Sequence, residues 1–163
     1  HGSFRARGGE RISFPAGIPF HRLKSMDDHW PYKGKTDYAF PHDHGYQFRG
    51  YRLDALRRPT FQYRYGDIVV EDFFEDLLDD DGRAYFRRTI RFESPEAPPP
   101  FHFRAASGKK ITPQSDRDFV IDQLRLRMAG DYRGVTRDGD PAELLIPLTL
   151  SAGRSTLTLE YRW

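Results

Sequence analysis

The sequence predicts an all-β domain, an antiparallel β-sandwich or jelly roll of about eight or nine strands, preceded by an irregular N-terminal arm. Three observations predict it. From residue 46 to residue 163 apolar and polar side chains alternate with period two, the mark of strands with one buried face. Aromatic residues make up 15% of the chain, so large rings can fill a core although hydrophobic residues overall are only 37%. No segment carries the 3.6-residue periodicity of an amphipathic helix. At 163 residues one domain with one core is the default, divided here into an arm over 1–45 and a sandwich over 46–163.

Along the arm, Gly8, Gly9, Pro15, Gly17, Pro19, Pro31, Gly34, Pro41 and Gly45 interrupt every apolar run, and only residues 11–14 suggest a short strand. In 46–53 the apolar parity switches across Gly50, from Tyr46 and Phe48 to Tyr51 and Leu53, which predicts a bulge there. Pro59 opens a strand with Phe61, Tyr63 and Tyr65 on one face, and Gly66-Asp67 turns it into Ile68-Val69-Val70, the strongest hairpin signal in the chain. Residues 73–82 read as a loop, because their acids sit at what would be the unfavourable C-terminal end of a helical turn. Strands follow at 85–92 and 101–103, joined by the proline-rich stretch 95–100, which suits a crossover between sheets. The last strands are 119–128, 144–150 around Pro147, and 157–163 with Leu157, Leu159, Tyr161 and Trp163 on one face. Pro147 has to sit where the ladder needs no donor.

Composition narrows the function classes. Lys and Arg number 26 against 24 Asp and Glu, a net charge of +2, and the basic residues are interspersed with acids, so a nucleic-acid partner is not expected. No apolar run reaches the about 18 residues a membrane-spanning helix needs, and no signal-peptide core is present, although a cleaved signal leaves no trace. The absence of cysteine rules out disulfides, thiolate metal ligands, a cysteine nucleophile and a Cys-x-x-Cys-His haem attachment within this stretch. A Gly-x-Ser-x-Gly elbow and a glycine-rich phosphate loop before a helix are also missing. The His1-Gly2-Ser3 start, without methionine, reads as an excised domain or a tag remnant sooner than as a processed terminus.

With the strands laid out, one stretch is distinctive: Gly45 through Asp54, then Arg58 through Tyr65, then Val70-Glu71-Asp72-Phe73. It resembles an accessory domain of large bacterial haem-binding proteins, which join sugar-dehydrogenase-like or related modules to a c-type cytochrome domain and are exported to the periplasm. The closing Glu160-Tyr161-Arg162-Trp163 fits the same pattern. The resemblance covers 45–163 in outline, is specific only over 45–73, and carries no catalytic motif. It implies a non-catalytic accessory or interaction domain in a periplasmic or extracellular protein, with neighbouring domains of the parent as partners. No cofactor belongs to this chain, and any haem c belongs elsewhere in the parent.

The remaining candidates are weighed against plainer explanations. His42-Asp43-His44, with His21 and His29 in the same arm, is the densest set of metal-ligand types, but two imidazoles two residues apart share a metal only if the loop curls, and a simple turn set by Asp43 and Gly45 explains it as well. His1, were it a true terminus, could form a copper brace with His42, His44 or His102, as in lytic polysaccharide monooxygenases, which the rest of the chain does not resemble. Asp79-Asp80-Asp81, with Glu75 and Asp76, lacks the spacing of a calcium loop and reads as a solvated hairpin tip before Gly82. Glu71-Asp72 reads as a strand end more readily than as a glycosidase carboxylate pair. Trp30, Tyr32 and Tyr38, in the irregular arm, are the candidate ligand-binding residues of an alternative function, a carbohydrate-binding module, against a plainer role in covering the open end of the sheet. Arg87, Arg91, Arg125, Arg127 and Arg162 occupy outward strand positions, where pairing with acids across strands is expected.

Overall fold

A computed structural model describes residues 3–5, 11–31 and 40–163. In chain order its elements are β1 (Ser3–Arg5), β2 (Arg11–Ser13), β3 (Phe20–His21), a 3-10 turn (Pro41–His44), β4 (Tyr46–Leu53), β5 (Pro59–Tyr65), β6 (Ile68–Leu78), β7 (Ala84–Ser94), β8 (Phe101–Gly108), β9 (Ile111–Pro113), β10 (Asp118–Ile121), β11 (Leu124–Ala129), β12 (Val135–Arg137), β13 (Ala142–Leu148) and β14 (Gly153–Arg162). Eight strands form one sheet in the order β4-β5-β6-β7-β14-β11-β10-β9, four form a second in the order β12-β13-β8-β3, and β1 pairs with β2 alone. Every pairing is antiparallel. The chain is therefore an antiparallel β-sandwich, with twelve strands in its two main sheets where about eight or nine were expected from turn spacing. The excess is physical: β3, β9 and β12 have two or three residues each, too few to show alternation. The predicted strand 119–128 splits in two at Asp122, whose φ of 54° reverses the chain.

Local chemistry accounts for the strands that shape the site. Phe48 pairs with Tyr63 and Gly50 with Gln62, leaving Arg49 as the extra residue of the expected bulge. Gly50 sits at φ 123°, a conformation open to a residue without Cβ. The bulge brings Tyr51 opposite Phe61, so the aromatics on both sides of it share one face. The loop expected over 73–82 is instead the second half of β6, which runs to Leu78 and pairs with β7. Its acids are tolerated because strand neighbours are basic, with Glu75 opposite Arg87. The turn is confined to the acidic tip, where the Asp79 carboxylate accepts the N–H groups of Asp81 and Arg83 and also takes Arg162 at 2.9 Å. The proline-rich stretch carries the chain from β7 in the large sheet to β8 in the small one, as expected. Pro147 lies beyond the reach of β12, which pairs only with residues 143–145. Among the outward arginines, Arg87 pairs with Glu160, Arg125 with Asp118, and Arg162 with Asp79 and Glu160.

Between the sheets, Ile90, Phe92, Leu126, Leu157 and Leu159 meet Phe101, Phe103, Leu144, Ile146 and Leu148, all buried. The region assigned to an arm contributes to this core. Ile18 and Phe20 are buried, and the Phe20 ring lies within 6.4 Å of the rings of Tyr46, Tyr65, Phe92, Phe101 and Phe103. β3 completes the small sheet beside β8, so the sandwich starts well before residue 45.

Candidate ligand-binding cleft

The small sheet has half as many strands as the large one, and the inner face of β4–β6 lies beyond its β3 edge. The segment running through Phe14, Pro15, Gly17 and Pro19 crosses this overhang and encloses a cleft of about 480 Å³, within the roughly 300–1,000 Å³ usual for small-molecule sites. Its walls are aromatic. Tyr46 stacks on Tyr63 at 5.3 Å and 26°, Phe48 leans on Tyr63 at 5.4 Å, Phe61 meets Phe74 edge-on at 6.3 Å, and Phe74 meets Phe14 at 5.4 Å.

The floor is charged. Asp72 on β6 and Arg88 on β7 form a bidentate pair, Arg88 Nε donating to Oδ1 at 2.9 Å and Nη2 to Oδ2 at 2.6 Å. Their side chains are only 7% and 8% exposed. Such a pair survives burial only if its desolvation is offset on all sides. Here the guanidinium lies 4.8, 4.9 and 5.0 Å from the ring centroids of Phe14, Phe74 and Phe103. Burial opposes the charge on Arg88, but the adjacent Asp72 carboxylate outweighs it and holds the guanidinium above its ordinary pKa. Burial first, and the nearby Asp72 charge second, push Tyr63 up to about 12, so this hydroxyl stays protonated and can donate. Arg104 of β8 closes the far side, bonded to the Ala16 carbonyl at 3.1 Å and paired with Glu143 at 2.7 Å. Glu143 is held in turn by Arg137, which also donates to the Met26 and Asp28 carbonyls and so fastens the 26–28 loop to the small sheet.

Both buried carboxylates of this region are engaged by arginines. Asp72 is occupied by Arg88, and Glu143 by two arginines. A carboxylate so engaged is a poor general base, because taking a proton would strand its buried partner.

The residues singled out from the sequence fall elsewhere. Trp30 is 2% exposed and its indole donates to the Ile18 carbonyl at 2.8 Å, so its ring packs inside, in keeping with the plainer role of covering the sheet, and offers no open face to a sugar. Tyr32, Tyr38 and His1 lie outside the described residues. His42 and His44 sit on the 3-10 turn and turn to different neighbours: His42 bonds Asp43 at 2.7 Å and stacks on Phe40, whereas the His44 ring lies 5.9 Å from that of His21. Among the described residues no three His, Asp or Glu side chains converge on a metal-sized site. Glu71-Asp72, read as a strand end, lies in the middle of β6. Asp72 and Arg88 were legible in principle. Inward parity set by Ile68 and Val70 reaches Asp72, and that set by Phe86, Ile90 and Phe92 includes Arg88, so the pattern places one opposite charge on each of two adjacent strands facing the core.

His21 and His102 are cross-strand partners on β3 and β8. Burial lowers the pKa of both; His44 and His102 lower His21 further while Asp28 opposes, and Arg137 lowers His102 while the His21 backbone opposes. A histidine with a depressed folded pKa binds fewer protons in the fold than in the unfolded chain. Its stabilising contribution is therefore complete above the unfolded value near 6.5 and is lost as pH falls through that value toward the folded one. Thermal melts at a series of pH values are expected to show Tm dropping as pH falls from about 7.5 to about 5, with a shallower slope in the His21→Gln, His102→Gln double variant; equal slopes would contradict the assignment.

The fold and this site together define the chain as an antiparallel β-sandwich with a ligand-sized aromatic cleft over a neutralised charge pair. No family model, curated protein or solved structure matches it. No helix among the described residues is long and apolar enough to cross a membrane.

Proposed function

We propose that this chain is a non-catalytic accessory domain of an exported, haem-containing multidomain protein, and that it docks against a neighbouring domain of that protein through the edge of its large sheet. The observation that carries the reading is the far half of β4. Beyond the bulge, Tyr51 and Leu53 of β4 and Leu56 in the turn that follows are exposed by 61%, 49% and 72%, and among the described residues β4 has no partner on its outer side. Clustered apolar groups along an open edge are a liability for a solitary domain and an asset for one that is covered by a partner. The same segment, 45–73, bears the resemblance to accessory domains of periplasmic haem-binding proteins. Haem then resides in other domains of the parent, and the compartment is periplasmic or extracellular.

Hydrogen exchange on the isolated chain and on the parent protein tests this. Amides of residues 50–56 are expected to exchange more slowly in the parent, and Tyr51→Asp with Leu53→Asp is expected to abolish that protection. Equal exchange in both settings would remove the docking reading, and a Soret band in the purified isolated chain would remove the placement of haem elsewhere.

A further inference from the structure

We infer that the cleft between β4–β6 and the 14–19 segment is a binding site for a neutral pyranose sugar ring. The two halves of the argument are shape and polarity. Walls formed by Phe48, Phe61 and Tyr63 offer flat apolar surfaces to the C–H faces of such a ring. A wholly apolar occupant would cover the Tyr63 hydroxyl and the Asp72 carboxylate without answering them, which is unfavourable for buried polar groups. Each oxygen of Asp72 takes one bond from Arg88 and keeps acceptor capacity for a ligand hydroxyl. Tyr63, which lines the cleft, carries a hydroxyl that can both donate and accept. An anionic ligand fits poorly, since Asp72 lines the cleft and the arginines nearby are already matched, Arg88 by Asp72 and Arg104 by Glu143. What satisfies ring faces, a free acceptor and a free donor together, without net charge, is a polyhydroxylated ring.

Docking at the far half of β4 is a separate matter, because Tyr51, Leu53 and Leu56 do not line the cleft. The test uses the isolated chain, by amide and aromatic NMR titration with glucose, galactose, mannose, xylose, cellobiose and maltose, and with benzoate as an anionic aromatic probe. At least one of these sugars is expected to give saturable shifts centred on Tyr46, Phe48 and Tyr63. Phe48→Ala and Tyr63→Phe are each expected to weaken it by about tenfold, while Val69→Ala, exposed on the outer face of the same sheet, leaves affinity unchanged. Should Phe48→Ala perturb the fold, Tyr63→Phe, which removes a single hydroxyl, still decides. The inference is overturned if none of the sugars shifts the cleft residues, if benzoate binds there and the sugars do not, or if Tyr63→Phe retains full affinity.

Discussion

Asp72→Ala is expected to destabilise the fold by about 3–5 kcal/mol, the usual result of stripping one partner from a buried ion pair. The substitution leaves the Arg88 cation enclosed by Phe14, Phe74 and Phe103 with its two strongest acceptors gone. The double variant Asp72→Leu, Arg88→Met is expected to recover most of the loss, because it removes both charges and restores apolar volume between rings already in place. Urea denaturation measures both, and the slope with denaturant should stay constant while the midpoint moves. A loss below about 1 kcal/mol for Asp72→Ala would mean that the pair is solvated like an ordinary surface bridge, and the charged floor of the cleft would have to be abandoned.

Trp30→Ala is expected to come close behind, with a loss of about 3–5 kcal/mol from a large cavity. Trp30 is nearly wholly buried, it donates to Ile18, and its ring lies beside His21 at 5.9 Å and Arg104 at 6.0 Å. Its removal should loosen the 22–31 loop, so that limited proteolysis cuts there first. Trp30→Phe keeps the apolar bulk and forfeits one hydrogen bond, worth about 1 kcal/mol. Denaturation and proteolysis separate this from a ligand-contacting tryptophan. A stable Trp30→Ala protein that had lost sugar affinity would return the binding surface to the arm.

Much of the sandwich could be read from the residues, and the reasons for the failures are specific. Tyr46, Phe48, Phe61 and Tyr63 announced themselves by alternation, and the parity switch at Gly50 located the bulge. The second half of β6 is not legible within its own segment, because the basic partners that steady its acids, Arg87 foremost, come from the next strand. Trp30 shows the mirror-image limit: among prolines and glycines an aromatic can serve a ligand or cover the sheet, and its burial depends on Ile18, Arg104 and β8, one of them a dozen positions away and the others more than seventy. The cleft itself arises where a four-stranded sheet falls short of an eight-stranded one, and relative sheet width is a property of topology that no window of sequence contains.

The position of β14 has a consequence for biosynthesis. Although it is formed by residues 153–162, it lies inside the large sheet, with Gly153 opposite Ser94 and Tyr161 opposite Phe86 on one flank, and β11 on the other. During translation β7 and β11 therefore both emerge before the strand that joins them, β7 well ahead of it. Until it arrives, each presents a row of unanswered backbone donors and acceptors, which is how nascent β-rich chains associate with one another. The large sheet cannot close until residues 153–162 have emerged, and a holdase that shields the 84–94 and 124–129 segments until then is expected to raise the yield of folded domain.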